Sequence, residues 1–313
     1  MKHPRIRIRI GISGWQYAGW RGVFYPPGLV QAHELAFASR AMQTIEINGS
    51  HYSLQRPSTY QRWHDETPEG FIFSVKAPRY LTHILRLEGG GVPIALANFI
   101  ASGIFNLRGK LGPLLWQFPP SMAFKPEVFE AFLHLLPRDT EAAAQFARRH
   151  HDSHVHHPCL EIDRKRRLRH AIEIRHPSFC EDAFIKMLRR HGVALVVSEA
   201  VADWPYAEDV TADFVYLRLH GPETLYGGRY SDKALDHWAA RISSWASGGE
   251  PEDARRISAL PARARASREV FCYFDNDQKV RAPFDARRLT ERLMPEQSLL
   301  LEPLGRQADM FDS

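Results

Sequence analysis

The feature that most constrains this chain is an alternation. Eight short apolar runs with strand character recur along its 313 residues, and helix-like stretches lie between most of them. The runs are RIRIGIS (7–13), TIEIN (44–48), FIFSVKA (71–77), PLLWQF (113–118), AIEIR (171–175), ALVVSE (194–199), FVYLRLH (214–220) and VFCYFDN (270–276). QAHELAFASRAM follows the first run, KPEVFEAFLHLL the fourth, SFCEDAFIKMLRRHG the fifth, DKALDHWAARISSWA the seventh and APFDARRLTERLM the eighth. The stretch after the fifth run opens with Ser178 and Glu181 at capping-box spacing and closes at Gly192, the residue type that best ends a helix. Strands alternating with helices imply right-handed βαβ units and a parallel sheet. Eight such units predict an α/β fold closed as a parallel eight-stranded (β/α)8 TIM barrel, one domain over residues 1–313.

Some segments resist that pattern. AVADWPYAEDVTAD, before the seventh run, is too short and too Pro-broken for a full helix, and Arg5, Arg7 and Arg9 alternate through the first run as in a partly exposed extension. Residues 139–169 and 246–269 read as long surface loops around a core spanning 7–294, with 295–313 as a C-terminal tail. The first loop holds His150, His151, His154, His156 and His157. Without an HExxH pattern or partnered carboxylates, that cluster reads as a solvated loop and not as a metal site.

Charge and cysteine content narrow the function classes. A net charge of +5 permits an anionic ligand or nucleic acid without requiring either. Three cysteines with no CxxC pair suit a reduced, cytoplasmic compartment, and no apolar run is long enough for a signal peptide or a membrane span.

Seven motifs carry a family resemblance. GISGWQYAGWRGVFYPPGL, TIEINGSHYSLQRPSTYQRW, TPEGFIFSVKAPRYLTH, LGPLLWQFPPS, AIEIRHPSF, TADFVYLRLHG and YFDND occur in this order from residue 7 to residue 294. The chain thereby resembles the YecE-like proteins, TIM-barrel proteins grouped as domain of unknown function number seventy-two. The last motif departs at Asp275, where many members carry Asn. The resemblance implies the barrel and is silent on substrate and reaction, so function has to come from the site.

In this barrel type the chemistry lies at the C-terminal strand ends. Those ends supply Ser13 and Trp15, Glu46 and Asn48, Lys76, Gln117, Glu173 and Arg175, Glu199, Arg218 and His220, and Asp275 to Asp277. Period-two alternation puts Glu46 with Asn48, Glu173 with Arg175, and Arg218 with His220 on common faces. A structural ion-pair layer would account for any one of these residues; the set favours a ligand site, because polar groups from many strands converge only at the mouth and a merely structural core would more cheaply be apolar.

Lys76, Arg175 and Arg218 are then expected to converge without counter-charges on a small anion, phosphorylated or carboxylated, with arginine forks matching its oxygens. Glu46, Glu173 and His220 are the catalytic candidates for proton transfer, in an isomerase, lyase or hydrolase. Asn48, Gln117, Asn276 and Trp15 would orient the substrate, while Tyr226 and Tyr230 would form a lid hinged at Gly227 and Gly228. No cofactor is predicted. The runner-up is a divalent metal on Glu46, Glu173, Asp275 and His220, as in metal-dependent isomerases, hydrolases or nucleases. A third reading takes the basic runs DRKRRLRH and RRISALPARARASR as a nucleic-acid surface without catalysis, although interleaved aromatics and a recognition motif are missing.

Overall fold

Eight parallel strands close on themselves in sequence order, β1 paired to β8 as well as to β2. They are β1 (Ile8–Ser13), β2 (Thr44–Ile47), β3 (Ile72–Lys76), β4 (Leu111–Gln117), β5 (His170–Glu173), β6 (Ala194–Glu199), β7 (Phe214–Leu219) and β8 (Glu269–Phe274). The computed structural model describes residues 8–302, so Arg5 and Arg7 lie outside the described residues. All eight strands coincide with the runs expected from sequence, and the chain is a (β/α)8 TIM barrel.

Ten α-helices are assigned among the described residues: α1 (Glu34–Ala41), α2 (Gly49–Tyr52), α3 (Pro57–Glu66), α4 (Gly91–Ala101), α5 (Pro126–Leu135), α6 (Thr140–His150), α7 (Asp182–His191), α8 (Asp232–Ala246), α9 (Arg281–Leu293) and α10 (Pro295–Ser298). The α7 helix buries Phe184, Ile185, Met187 and Leu188, one face at helical spacing, and ends at Gly192 with φ of 60°. Its expected capping box does not form. Glu181 takes the N-cap position without a side-chain bond, and the Ser178 hydroxyl accepts instead from the Phe124 backbone N–H at 2.7 Å.

Residues 139–169 are not a loop throughout, because α6 occupies their first third; Asp139 caps it by accepting from the Ala142 N–H at 2.9 Å. His150 ends that helix, and the other four histidines follow it in irregular backbone. Residues 247–268 contain no helix or strand, as expected.

Inside the barrel, side chains stack in layers. Phe214 and Phe271 lie toward the N-terminal end, and above them come Leu115, Ala171, Val196, Tyr216 and Tyr273. Gly11 belongs to this wall, where a Cβ would stand 1.8 Å from the Thr44 carbonyl oxygen. Two residues further along each strand the apolar filling stops. Ser13, Glu46, Lys76, Gln117, Glu173, Ser198 and Arg218 take its place, all buried. The strands thus deliver a polar layer to the C-terminal mouth. No helix among the described residues is long and apolar enough to cross a membrane.

Candidate active site

The centre of that layer is Arg218, from β7. Its guanidinium is buried to 1% exposure, and five hydrogen bonds leave it. Nε and Nη2 donate to the two oxygens of Glu46 at 3.1 and 2.9 Å, Nη1 donates to Glu173 at 2.7 Å, and Nη2 also reaches Asp275 at 2.8 Å and Ser13 Oγ at 3.1 Å. Ser13 donates its own hydrogen to Glu46 Oε1 at 2.6 Å, and Tyr216 donates to Glu46 Oε2 at 2.6 Å. The expected open fork is therefore not open: three carboxylates saturate it. Charged partners at this depth explain how the chain tolerates a buried guanidinium, since an unpaired one would be prohibitively costly.

Arg175 joins the same lattice. Its Nε and Nη2 lie 2.8 and 2.7 Å from Glu173 Oε1, and its guanidinium carbon sits 3.7 Å from the centre of the Trp204 ring, a cation–π contact. Burial alone would raise the Glu173 carboxyl, but Arg175 and Arg218 outweigh it and hold the group ionised, well below the usual carboxylate range. Asp275 behaves likewise: burial opposes ionisation, yet Arg218 and His220 hold it down at about 2. Glu46 and Glu173 thus spend their oxygens on fixed donors, which suits acceptors that position Arg218 better than groups that exchange protons.

His220 is fully buried between Trp204 and Tyr226, with ring centroids 5.6 Å from each. Its Nδ1 lies 2.9 Å from Asp275 Oδ2 without the alignment of a full hydrogen bond, and its Nε2 is 3.7 Å from Glu173. The four ligands of the metal reading therefore surround a guanidinium that already bridges the three carboxylates. Among the described residues the metal-like grouping is elsewhere, at Glu130, His134 and His191 on the α5 and α7 surface. There Arg138 faces His191 Nδ1 at 3.1 Å and can only donate, so Nε2 carries the hydrogen toward Glu130 and is not free for a metal.

The β3 side of the mouth has a different character. Lys76 is buried to 9% exposure, yet its ammonium takes part in no hydrogen bond or ion pair among the described residues. Burial, and then the Arg218 charge, bring its pKa down to about 8. Beside it, His51 turns Nδ1 to the Ala77 carbonyl at 2.8 Å, and its ring meets His83 edge-on at 5.1 Å. Burial and then Lys76, Arg79 and Arg175 push His83 down to about 4; burial and then Lys76 push His51 to about 3. Burial is the larger cause for both histidines, and the Lys76 charge adds to it. A groove of about 450 Å³ opens on this side, lined by His51, Tyr52, Arg79, Tyr80 and Ile94 among others. The groove is walled mainly by residues that follow β2 and β3, with Arg79 as its arginine, and Arg218 is not among its lining.

Asp277, one of the expected strand-end residues but without an expected role, is set apart by its surroundings. It follows β8 in a turn where Lys279 and β-branched Val280 are both held in the left-handed region, at φ of 53° and 60°. Such strain in non-glycine residues costs roughly 1–3 kcal/mol each and clusters at functional sites. Burial and then the Asp275 charge push its carboxyl up to about 8, and its Oδ1 is buried without a partner. Its carboxyl is thus shifted toward the protonated form.

The remaining candidates divide. Asn48 stays at the mouth, donating to Ser13 Oγ at 2.9 Å and keeping Oδ1 unpartnered. Tyr226 also stays there, at φ of 64° against His220. Gln117 donates to the Phe118 carbonyl at 2.8 Å. Trp15 leaves the site for the core, edge-on to Trp63 at 5.3 Å, because the chain turns outward at Gly14 with φ of 80°. Tyr230 and Asn276 face away from the mouth toward α9. The Tyr230 hydroxyl donates to Glu199 at 2.6 Å, and Asn276 Nδ2 bonds Asp285 at 2.9 Å and the Gly228 carbonyl at 3.0 Å. They fasten the loop after β7 instead of freeing it, and Gly221 fits there because a Cβ would lie 2.0 Å from the Gly227 carbonyl oxygen.

The basic run at 164–169 is likewise engaged: Arg166 pairs with Asp163, Arg167 with Asp213 and Arg169 with Glu269. Trp204, under Arg175, was missed because its segment is short and Pro-broken. The one signal available was an aromatic residue in the loop leaving the C-terminal end of β6.

Comparison with known proteins agrees with this architecture. A family model described as "Protein of unknown function DUF72" matches residues 9–309. The chain belongs to this family. A curated relative, the UPF0759 protein YunF of Bacillus subtilis (strain 168), is 30% identical over 132 residues, which is 38% of this chain and 43% of that protein. The matched segment thus spans less than half of that relative's length. The crystal structure of a DUF72 family protein from Thermotoga maritima MSB8 superposes with a TM-score of 0.68 at 23% identity, covering 91% of this chain and 98% of that one. A DUF72 family protein from Enterococcus faecalis V583 superposes with a TM-score of 0.64 at 15% identity, over 91% of this chain and 95% of that one. At these identities the likeness concerns the fold alone.

Proposed function

We propose that this DUF72 member is an enzyme that binds a small anionic substrate, carboxylated or phosphorylated, at the C-terminal mouth and moves protons on it. The observation that carries the reading is Lys76: a lysine 9% exposed whose ammonium has no hydrogen bond or ion pair among the described residues, beside His51 and His83, which burial and then the Lys76 charge keep neutral. An anion seated there would relieve repulsion among Lys76, Arg79 and Arg175. Arg218, whose fork is filled by carboxylates, has a different part: it fixes Glu46, Glu173 and Asp275 around the floor of the site. Proton transfer falls to groups whose protons are not committed, with Asp277 as the acid and His220 as its counterpart on the Asp275 side.

Thermal denaturation against inorganic phosphate, sugar phosphates and small carboxylates tests this reading. A ligand at about a hundred times its dissociation constant adds roughly 2.7 kcal/mol, a rise of a few degrees in a chain this long. Lys76→Met should abolish the rise. Arg166→Ala, in the cavity at the opposite end of the barrel, should leave it unchanged. If magnesium or manganese raises the melting point and anions do not, the reading is wrong.

A further inference from the structure

We propose that Lys76 is a nucleophile that forms a protonated imine with the carbonyl carbon of a small oxo acid. This deepens the reading above and rests on it for the substrate's negative charge. The chain uses lysine sparingly: of its 41 lysines and arginines, eight are lysines. Most of those described are visibly engaged. Lys110 donates to the His64 and Thr67 carbonyls at 2.5 and 2.7 Å, while Lys125, Lys165 and Lys186 form surface ion pairs. Lys233 and Lys279 are exposed. Lys76 alone among the described lysines is buried, and it alone combines burial with an uncommitted amine.

Arginine fills the buried pairing role in this mouth, at 175 and 218. A third arginine would hold an anion at least as well, but a guanidinium cannot lose its proton or form an imine. A lysine desolvated beside another cation is the arrangement that frees an amine near neutral pH. Lys76 ends β3 in the barrel interior, where burial and then the Arg218 charge disfavour its protonated form against the opposing pull of Glu46, Glu173 and Asp275.

The step balances without a further reactant. The ammonium and the carbonyl compound give a protonated imine and water: the C=O bond breaks, the C=N bond forms, and two of the three ammonium hydrogens leave with the oxygen. The iminium then withdraws electrons from the neighbouring carbon, so the chemistry that follows is loss of an α proton or cleavage of an adjacent carbon–carbon bond. The substrate's carboxylate or phosphate would lie toward Arg79, which lines the groove together with His51.

Reductive trapping tests the proposal. The folded protein is incubated with pyruvate or with neutral dihydroxyacetone in the presence of sodium cyanoborohydride, followed by intact mass measurement and peptide mapping. A single adduct on residue 76, formed at least tenfold faster than on Lys233 or Lys279 and faster with pyruvate than with dihydroxyacetone, is the expected result. Lys76→Arg, which keeps the charge, should give no such adduct; the wild-type map decides alone if that variant does not fold. Adducts confined to exposed lysines overturn the proposal, even in a protein that anions stabilise through Lys76. Equal trapping of both carbonyl compounds at residue 76 would sustain the nucleophile and sink the anion reading.

Discussion

Arg218 and Glu46 form a two-point pair across the barrel interior, with Nε and Nη2 of one meeting the two carboxylate oxygens of the other at 3.1 and 2.9 Å. Both side chains are at most 1% exposed. A planar fork matched to a carboxylate is specific in geometry, so this pair fixes where Glu173 and Asp275 can sit as well.

Arg218→Met should therefore cost more than an ordinary surface ion pair. It leaves three carboxylates buried around a thioether, and breaking a buried pair in this way destabilises by roughly 3–5 kcal/mol. Arg218→Lys should recover little, because one ammonium cannot reproduce five directed bonds. Urea unfolding of the two variants measures this; a loss below about 1 kcal/mol would mean that the lattice contributes nothing to the fold.

The two aspartates after β8 predict opposite pH dependences. Asp275 titrates at about 2 in the fold against an ordinary 3.8, so its stabilisation is complete above pH 4 and is lost as pH falls through about 2. Asp277 titrates at about 8 against the same 3.8, so the unfolded chain releases its proton first and stability declines as pH rises from about 4 to about 8. Asp277→Asn should remove that decline. Denaturation at a series of pH values tests the assignment, and superimposable profiles for the variant and the wild type would refute it.

Much of this architecture is legible in the sequence, for a physical reason. Interior barrel strands are short, apolar and flanked by turns, so runs such as ALVVSE announce themselves, and period two then places Arg218 and Glu173 at the mouth without further information. Helices were harder to read. The α4 helix begins in a glycine run and carries Pro93 near its start, and α6 lies in a segment dominated by the basic and histidine-rich stretch after it.

What alternation could not reveal was pairing. It brings Arg218 to the mouth but does not say that three carboxylates will fill its fork, nor that Tyr230 and Asn276 will turn to Glu199 and Asp285. Lys76 differs from Arg218 in the same way: both end interior strands, and only the three-dimensional partners separate the saturated cation from the available one.

Trp204 offers a test of the positive side of the mouth. Its ring lies under the Arg175 guanidinium, and a desolvated contact of this kind is worth about 0.5–2 kcal/mol. Trp204→Leu should keep the apolar filling but lose the quadrupole, loosening Arg175 and weakening a bound anion by roughly two- to thirtyfold. Titration of the stabilising anion against both proteins reads the change; unaltered affinity would remove Arg175 from the ligand site.

The most direct measurement is a crystal structure grown with the anion that stabilises the protein best. The account predicts density at the C-terminal mouth, with an anion oxygen within hydrogen-bond distance of Lys76 Nζ and the carboxylates around Arg218 unmoved. Density in the cavity at the other end of the barrel, among Arg9, Arg166 and Arg169, with the mouth holding only water, would contradict it.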